Sequence, residues 1–232
     1  MELKDQGVIV TGGSRGLGAA LGAALAERGA RVVLVARDAG RLDETVRRIR
    51  QRHGEAHGLA ADVSDKEAIH RISGAAAALV GDVSLLVHAA STLGPTPLRP
   101  LLDLACEDLE RVLAVNVLGP FRLTKAVVGG MALRGRGTVV AVSSDAATEA
   151  YPGWGAYGAT KAATDHLMRT FAAEHAGVRF LSFDPGEMDT DMHRAAMPDA
   201  DPSTLARPHA VAANLLRWLD GSPASGTRAR AT

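Results

Sequence analysis

The sequence predicts an α/β fold, a single doubly wound domain of about seven parallel strands with helices on both faces. Apolar runs rich in β-branched residues alternate with longer Ala- and Leu-rich segments of helical period, which is typical of βαβ units around a buried parallel sheet. The length of 232 residues suits one three-layer domain. No internal repeat or Gly/Ser linker divides the chain, so residues 1–232 are treated as one domain.

The predicted strands are short and separated by turn residues; they cover residues 7–11, 31–36, 56–61, 84–88, 137–142, 178–183 and, with the weakest pattern, 224–229. The predicted helices lie between them, at residues 16–28, 41–53, 66–79, 106–131, 154–175 and 209–219. Because crossovers between parallel strands are right-handed, the carboxyl ends of all strands meet at one edge of the sheet. Ligands of such folds bind at that edge.

Composition excludes several classes of partner. Lys and Arg number 26, as do Asp and Glu, so the formal net charge is zero and no global charge draws the chain to nucleic acid or anionic membrane. No apolar run approaches the roughly 20 residues of a membrane span. The first residues lack the basic and then apolar pattern of a secretory signal. We therefore expect a cytoplasmic protein whose partners are small molecules.

Metal and disulfide sites are not expected either. Cys106 is the only cysteine, which excludes an intrachain disulfide and a Cys-based zinc site. The eight histidines are scattered, with no pair at metal-ligand spacing beside a carboxylate. The sequence therefore predicts no metal centre.

A glycine-rich turn follows the first predicted strand. Glycines at this place let the chain turn tightly, allow a dinucleotide to approach the backbone, and aim the N–H groups of the next helix at a pyrophosphate. A flexible loop is the alternative, but the position in the first βαβ unit favours the Rossmann-type interpretation. The predicted dinucleotide-binding residues of the turn are Gly12, Ser14, Arg15, Gly16, Leu17 and Gly18.

The end of the second predicted strand favours NADP(H) over NAD(H). Related folds carry a carboxylate there when they bind the ribose of NAD, and this chain has Ala36 followed by Arg37. Arg37 and Arg15 can pair with a 2′-phosphate; the alternative is that both are solvated surface residues.

The spacing Thr-Gly-x-x-x-Gly-x-Gly at residues 11–18 resembles the short-chain dehydrogenase/reductase family rather than the ordinary Gly-x-Gly-x-x-Gly pattern. Further motifs in family order extend the resemblance over nearly the whole chain: Asp62-Val63, Asn116, Ser144, Tyr157-x-x-x-Lys161 and Pro185-Gly186-x-x-x-Thr190. The resemblance implies hydride transfer between a nicotinamide and a carbonyl or alcohol. It assigns Asp62 to the adenine, with Val63 against the ring. It adds to the cofactor site Ala89, Ala90, Tyr157, Lys161, Pro185, Gly186, Met188 and Thr190.

Tyr157 and Lys161 stand four residues apart, so a helix places them on one face. A tyrosine has an ordinary pKa near 10, and an adjacent ammonium lowers it by favouring the phenolate. Tyr157 is therefore predicted to be the general acid in reduction and the general base in oxidation. Lys161 is also expected to hold the nicotinamide ribose.

The resemblance implies two further catalytic residues. Ser144, 13 residues before Tyr157, is matched to the hydroxyl that fixes and polarises the substrate oxygen, with Ser143 as the rival. Asn116 is matched to the residue that orients a water toward Lys161. One motif departs from the family, because His88-Ala89-Ala90-Ser91 replaces the common Asn-Asn-Ala-Gly. We assign His88 a structural or cofactor-packing role rather than a catalytic one.

The predicted substrate-binding residues are Ser144, Tyr151, Trp154, Glu187 and Met192. Their aromatic and thioether groups suit a planar or aryl ketone better than a sugar, although packing alone could explain Trp154 and the methionines. Residues 187–208, rich in Met, Asp and Pro, are interpreted as an irregular flap that overhangs the binding edge.

The segments around Tyr157 and Pro185 are most similar to the branch of sepiapterin and benzil reductases. That branch reduces vicinal diketones and related aryl carbonyls. Sepiapterin reductases carry an acid near the C-terminus that anchors the pterin, and this chain has Arg230 at the matching place, which argues against sepiapterin as substrate. We expect a homodimer, with a tetramer as the alternative, through the predicted helices 106–131 and 154–175. An NADP-binding sensor or scaffold with little turnover is the alternative function.

Overall fold

The computed structural model describes residues 2–231 and contains one sheet of seven parallel strands in the order β3-β2-β1-β4-β5-β6-β7. The strands are β1 (Gly7–Thr11), β2 (Arg31–Ala36), β3 (Glu55–Ala60), β4 (Val83–His88), β5 (Thr138–Val142), β6 (Arg179–Asp184) and β7 (Arg228–Arg230). The strand order reverses between β1 and β4, which is the switch point of a Rossmann-type sheet. The predicted fold class is confirmed.

Helices cover both faces of the sheet. One face carries α1 (Gly16–Glu27), α2 (Ala39–Gln51) and α8 (Pro208–Asp220), and the other carries α3 (Lys66–Val80), α5 (Gly119–Leu133) and α6 (Gly155–Glu174). Two shorter helices are α4 (Cys106–Leu113), which precedes α5, and α7 (Asp191–Ala196), which follows β6. The predicted helices agree within two residues, apart from the segment 106–131.

The central strand β1 shows why the sheet is fully buried. Val8 and Val10 pack into the core below α1 and α8, whereas Ile9 packs into the core on the opposite face. All three are 0% exposed. Side chains alternate between the two faces of a strand, so a strand covered on both sides needs a continuous apolar run.

Polar side chains fix the connection from β3 to α3. Asp65 caps α3, because its side chain accepts a hydrogen bond from Glu67 N at 2.9 Å. Ser64 instead donates to Asp62 Oδ1 at 2.8 Å. This turn holds Asp62 and Val63 at the carboxyl edge of the sheet.

The prediction of one regular helix over residues 106–131 is wrong. A π-helical turn, Ala114–Leu118, separates α4 from α5, and Asn116 lies in it. The helical run Cys106–Leu133 is 28 residues long and by length and composition could cross a membrane, with mean hydropathy 1.3 in its most apolar window. Half of that window is buried inside the domain, and the core helix of a globular protein meets the same criterion.

Two predictions near the C-terminus need correction. The predicted strand 224–229 is displaced, because Thr227 N bonds back to Ala224 O in a turn and Gly226 has φ +85°; the strand begins only at Arg228. The flap 187–208 is not irregular throughout. It contains α7 and an isolated parallel bridge between Met188 and Ala206, which ties its two ends together.

Candidate active site

A cleft of about 1200 Å³ opens along the carboxyl edge of the sheet, beside the switch point between β1 and β4. It brings together every residue predicted to contact cofactor or substrate. Asn116 lies behind its wall and is 3% exposed. The cleft has a basic end, around the end of β2, and an apolar end, around Trp154 and Met192.

The glycine turn presents backbone to the cleft. Gly12 and Gly16 have φ of +73° and +54°, in the left-handed region that favours glycine. A Cβ on Gly18 would lie 2.3 Å from Gly12 O, so a side chain there would push α1 away from the turn. Arg15, the N-cap residue of α1, makes no side-chain cap, and the N–H groups of the first helical turn remain available to an anion. These features fit the pyrophosphate of a dinucleotide.

Three arginines stand at the basic end. Arg15 Nη1 and Arg41 Nη1 approach Asp191 Oδ2 at 3.0 and 3.4 Å. Arg37 Nη1 lies 3.9 Å from Asp62 Oδ2. All three arginine side chains are more than half exposed, so these ion pairs hold them weakly. Each of them can turn to a bound phosphate.

Arg41 was missed by the sequence analysis. Helix α2 begins at Ala39, two residues before the predicted start, and Asp38 caps it by accepting a hydrogen bond from Arg41 N at 3.0 Å. Arg41 therefore lies in the first turn of α2, beside the end of β2. A basic residue at the expected start of the second helix was the available signal.

Tyr157 and Lys161 lie on one face of α6, as their spacing predicts. Lys161 Nζ is 5.3 Å from the centre of the Tyr157 ring and donates a hydrogen bond to Val142 O at 2.7 Å. The residues are only 8% and 5% exposed. A Cβ on Gly158 would lie 2.6 Å from Ala146 O, so glycine allows α6 to pack closely against the loop after β5.

Burial raises the pKa of Tyr157 well above its usual value of 10.0, because the phenolate loses its solvation. Hydrogen bonding from the hydroxyls of Ser144 and Ser91 acts in the opposite direction. The carboxylates of Asp184 and Asp145 raise the pKa further. Tyr157 is therefore a protonated phenol at neutral pH, and the predicted lowering of its pKa by the neighbouring ammonium is wrong, because burial dominates.

Burial also lowers the pKa of Lys161, to about 8, and the nearby Asp165 carboxylate opposes that shift. Lys161 is therefore mostly charged at neutral pH and loses its charge as the pH rises through about 8. It provides a buried positive charge beside the Tyr157 ring.

The two serines after β5 have different partners. Ser143 is 2% exposed and donates to Asp165 Oδ2 at 2.7 Å, so its hydroxyl is used inside the domain. Ser144 lines the cleft and donates to Asp145 Oδ1 at 3.1 Å. The geometry favours Ser144 over Ser143 as the residue that meets a substrate oxygen.

Asn116 braces the loop after β4. Its Nδ2 donates to Thr92 O and its Oδ1 accepts from Thr92 N, both at 2.9 Å. Nδ2 also donates to Thr160 Oγ1 at 3.0 Å, and Asn116 O accepts from Thr164 Oγ1 at 3.0 Å. The role of Asn116 in orienting a water stays a prediction.

His88 is turned away from the cleft, toward α5. Its Nε2 lies 2.9 Å from Thr124 Oγ1. Burial, with the charge of Lys161, lowers the pKa of His88 to about 3, so the imidazole is neutral at physiological pH. These contacts support a structural role. Ala89 and Ala90, the next two residues of the altered motif, line the cleft as predicted.

Comparison with known proteins decides the family. A sequence model of the short chain dehydrogenases matches residues 6–201. The chain belongs to this family. A short chain dehydrogenase of Pseudocercospora fijiensis is 39% identical over 196 residues, which span 82% of this chain and 62% of that relative.

Solved structures show the same fold over nearly the whole length of this short chain dehydrogenase. One from Shigella flexneri, complexed with NADP, has a TM-score of 0.90 and 26% identity, covering 99% of this chain and 98% of its own. A 7α-hydroxysteroid dehydrogenase complexed with NADH and 7-oxo glycochenodeoxycholic acid has a TM-score of 0.90 and 25% identity, covering 99% and 93%. These relatives do not single out the sepiapterin and benzil reductase branch, and they differ in cofactor.

The apolar end of this short chain dehydrogenase is built around Tyr157. Leu93, Trp154 and Met192 pack in the same cluster as the Tyr157 ring. The Trp154 and Tyr157 rings meet edge to face, with centroids 5.8 Å apart. Tyr151 is 43% exposed at the mouth, and its hydroxyl donates to Asp145 Oδ2 at 3.3 Å.

Sequence reasoning also missed Arg228 on β7. Its Nη2 donates to Ser144 O at 2.8 Å and to Asp184 Oδ2 at 3.2 Å, and its Nε donates to Asp165 Oδ2 at 3.0 Å. The two carboxylates are 3% and 1% exposed, on α6 and β6. Arg228 therefore fixes the backbone of the proposed catalytic serine to two other elements. The sequence carried no signal for this, because the three partners are distant along the chain.

Proposed function

We propose that this short chain dehydrogenase transfers a hydride between NADP(H) and a ketone, diketone or secondary alcohol, with reduction of a planar or aryl carbonyl as the favoured activity. One observation carries the proposal: a single cleft joins three exposed arginines to a buried set of Tyr157, Lys161 and Ser144. The Shigella flexneri relative complexed with NADP supports the cofactor, and the relative complexed with a 7-oxo steroid supports a carbonyl substrate.

The basic end would hold the cofactor. N–H groups of the glycine turn and of the first turn of α1 would bind the pyrophosphate. Arg15, Arg37 and Arg41 would leave their carboxylate partners for the 2′-phosphate, which offers stronger charge-assisted hydrogen bonds. The bound cofactor supplies the hydride.

The apolar end would handle the proton. Tyr157 donates its phenol proton to the substrate oxygen, and the charge of Lys161 stabilises the phenolate that remains. Ser144 turns from Asp145 Oδ1 to the same substrate oxygen and polarises the carbonyl. Because burial raises the pKa of Tyr157, the phenol is the resting form, which is the form that carbonyl reduction requires.

The wall of Leu93, Trp154 and Met192 supports a flat, apolar substrate such as an aryl ketone or benzil-like diketone. The position of Arg230 argues against sepiapterin as a substrate. Its guanidinium lies 3.8 Å from Asp145 Oδ2 and 3.9 Å from Asp184 Oδ2, so a cation stands where an acid would have to anchor a pterin.

A carbonyl panel tests the proposed function. Aryl ketones, vicinal diketones, aliphatic ketones and sugars are supplied with NADPH or NADH, and the loss of reduced-cofactor absorbance is measured. We expect turnover of aryl carbonyls with NADPH and weaker turnover with NADH. Tight NADPH binding without turnover of any carbonyl would support the sensor or scaffold alternative.

We also propose a homodimer through the outer faces of α4, α5 and α6. Leu118 and Leu133 lie on this helical run and are 42% and 93% exposed, so an apolar partner surface would cover them. Light scattering of the protein, with Leu133→Glu as the disrupting variant, measures the oligomeric state.

A further inference from the structure

Two arginines from different elements converge on one carboxylate oxygen at the basic end of the cleft. Arg15 Nη1, from the glycine turn, and Arg41 Nη1, from the first turn of α2, lie 3.0 and 3.4 Å from Asp191 Oδ2. Asp191 is the first residue of α7, in the flap, and it lines the cleft. The flap is therefore bonded to two of the arginines that the proposed function gives to the 2′-phosphate.

These ion pairs can be exchanged at low cost. The side chains of Arg15, Arg41 and Asp191 are about half exposed, and exposed ion pairs contribute little to stability. Asp191 Oδ1 also accepts a hydrogen bond from Arg194 Nη2 at 2.6 Å, and Arg41 Nε lies 3.4 Å from Asp38 Oδ2. Asp191 and Arg41 would therefore each keep a partner if the pairs between them opened.

The observed position of α7 leaves a polar group unsatisfied. Both ring nitrogens of His193 are buried, and neither has a hydrogen-bond partner among the residues that the structure describes. Buried polar groups in folded proteins are almost always hydrogen-bonded. His193 lines the cleft, so a movement of α7 would give its imidazole access to water or to a ligand. The position of α7 therefore carries a cost that the ion pairs of Asp191 offset.

The flap has contacts of its own that do not depend on these ion pairs. Asp189 accepts hydrogen bonds from Arg194 and from Arg207, the second at 2.7 Å. The bridge between Met188 and Ala206 joins the two ends of the flap. Opening of the Asp191 ion pairs would therefore free α7 from α1 and α2 without unfolding the flap.

We propose that Asp191 is a specificity-determining residue, whose carboxylate occupies the 2′-phosphate site in the free protein. NADP(H) must displace this carboxylate, which releases α7 from Arg15 and Arg41, whereas NAD(H) leaves it in place. The inference rests on the proposed function, which places the 2′-phosphate at these arginines. A phosphate monoester carries about 1.5 to 2 negative charges at pH 7 and three acceptor oxygens, so the arginines bind it more strongly than a carboxylate of one charge.

A binding test uses nucleotide fragments and needs no turnover. The two fragments, 2′,5′-ADP and 5′-AMP, differ only in the 2′-phosphate, and calorimetry gives their dissociation constants. With Asp191→Asn, which keeps the shape and removes the charge, we expect 2′,5′-ADP to bind about two- to thirtyfold more tightly, because two exposed ion pairs no longer compete with it. The affinity for 5′-AMP should stay near that of the wild type.

Two variants control for the loss of charge. Asp191→Glu keeps the carboxylate and should keep the wild-type affinity for 2′,5′-ADP. Asp199→Asn makes the same charge change at an exposed residue after α7, outside the cleft, and should match the wild type for both nucleotides.

Hydrogen exchange measures the release of α7. In the wild type we expect the amides of residues 191–197 to exchange faster with 2′,5′-ADP at saturation than with 5′-AMP at saturation, because only the first opens the ion pairs of Asp191. In Asp191→Asn the faster exchange should already be present without a nucleotide.

Three results would overturn the inference. Equal gains for both nucleotides would mean a general effect of charge, and unchanged or weaker binding of 2′,5′-ADP to Asp191→Asn would mean that the carboxylate does not compete with the phosphate. Unchanged exchange in α7 would mean that the flap is not released. If the wild type binds both nucleotides equally well, the cofactor preference in the proposed function fails; a preference that appears with Asp191→Asn would still support the inference, and its absence would overturn it.

Discussion

The two ends of the cleft differ in how far their charged side chains are exposed. At the basic end, the three arginines around β2 are more than half exposed and paired with carboxylates on other segments. At the apolar end, Lys161, Asp165 and Asp184 are 5%, 3% and 1% exposed, and the two carboxylates share Arg228. Exposed cations can exchange one anion for another, whereas buried groups are held by partners that cannot be replaced by water.

This difference indicates which end of the cleft sets the affinity for ligands and which end carries out the reaction. Removal of a buried partner leaves an uncompensated charge, so the catalytic end should be sensitive to every change and rigid in geometry. Removal of an exposed arginine should alter affinity for a ligand and little else. The four predictions below test that division, from the largest expected effect to the smallest.

Tyr157→Phe removes the proposed proton donor and keeps the ring that packs against Trp154. We expect turnover to fall by at least the roughly 10²- to 10⁴-fold typical of general acid–base catalysis, with NADPH still bound. Steady-state kinetics and NADPH fluorescence measure the two effects. Near wild-type rates on every active carbonyl would show that the proton comes from elsewhere.

Arg228→Met should lower the free energy of unfolding by about 3–5 kcal/mol, because Asp165 and Asp184 lose their shared cation inside the domain. Urea unfolding measures the loss. The matched control is Arg52→Met, whose side chain is 74% exposed and paired with Glu27; it should change the stability by about 0–1 kcal/mol. Equal small losses would mean that Arg228 is not needed to compensate the two buried carboxylates.

Arg37→Asp should weaken NADPH binding by about tenfold or more while changing NADH binding much less, because a charge-assisted contact contributes about 1.5–3 kcal/mol. Titration of both cofactors measures this. Arg47→Asp makes the same charge change on α2 outside the cleft and serves as the control. If both cofactors lose affinity equally with Arg37→Asp, the phosphate site belongs to Arg15 or Arg41.

Most of the fold could be predicted from the sequence, because βαβ alternation and the glycine turn are local patterns. Strand β7 was displaced because its three residues, Arg-Ala-Arg, have no apolar pattern, and pairing with β6 alone defines them. The division between α4 and α5 was missed for a related reason. A π-helical turn keeps the helical period of apolar residues nearly unchanged, so sequence periodicity does not reveal it.

The candidate site divides in the same way. The glycine turn, Tyr157, Lys161 and Ser144 could be predicted because they follow each other at fixed spacings. Arg228 could not, because its role comes from a contact across 63 residues of chain, with Asp165. Motif spacing finds groups that all members share, and tertiary contacts are needed for groups particular to this chain.

The smallest predicted effect is the contribution of His88 to the pH dependence of stability. This buried imidazole is hydrogen-bonded to the Thr124 hydroxyl rather than to a carboxylate. Its pKa is lowered from 6.5 to about 3 in the folded chain, by burial first and by Lys161 second. Between these pH values the unfolded chain binds a proton that the folded chain does not. Stability is therefore fully present above pH 6.5 and falls as the pH drops toward 3, by at most about 1.4 kcal/mol per pH unit from this group.

His88→Asn keeps a polar partner for Thr124 and removes the titration, so its stability should fall less steeply than that of the wild type between pH 6.5 and 4.5. Urea unfolding at several pH values gives the two slopes, and His70→Asn, an exposed histidine on α3, is the control that should keep the wild-type slope. If His88→Asn has the wild-type slope, His88 is protonated in the folded chain. Its environment would then be more polar than its contacts indicate. The burial that distinguishes the catalytic end from the solvated basic end would not extend to His88, at the end of β4.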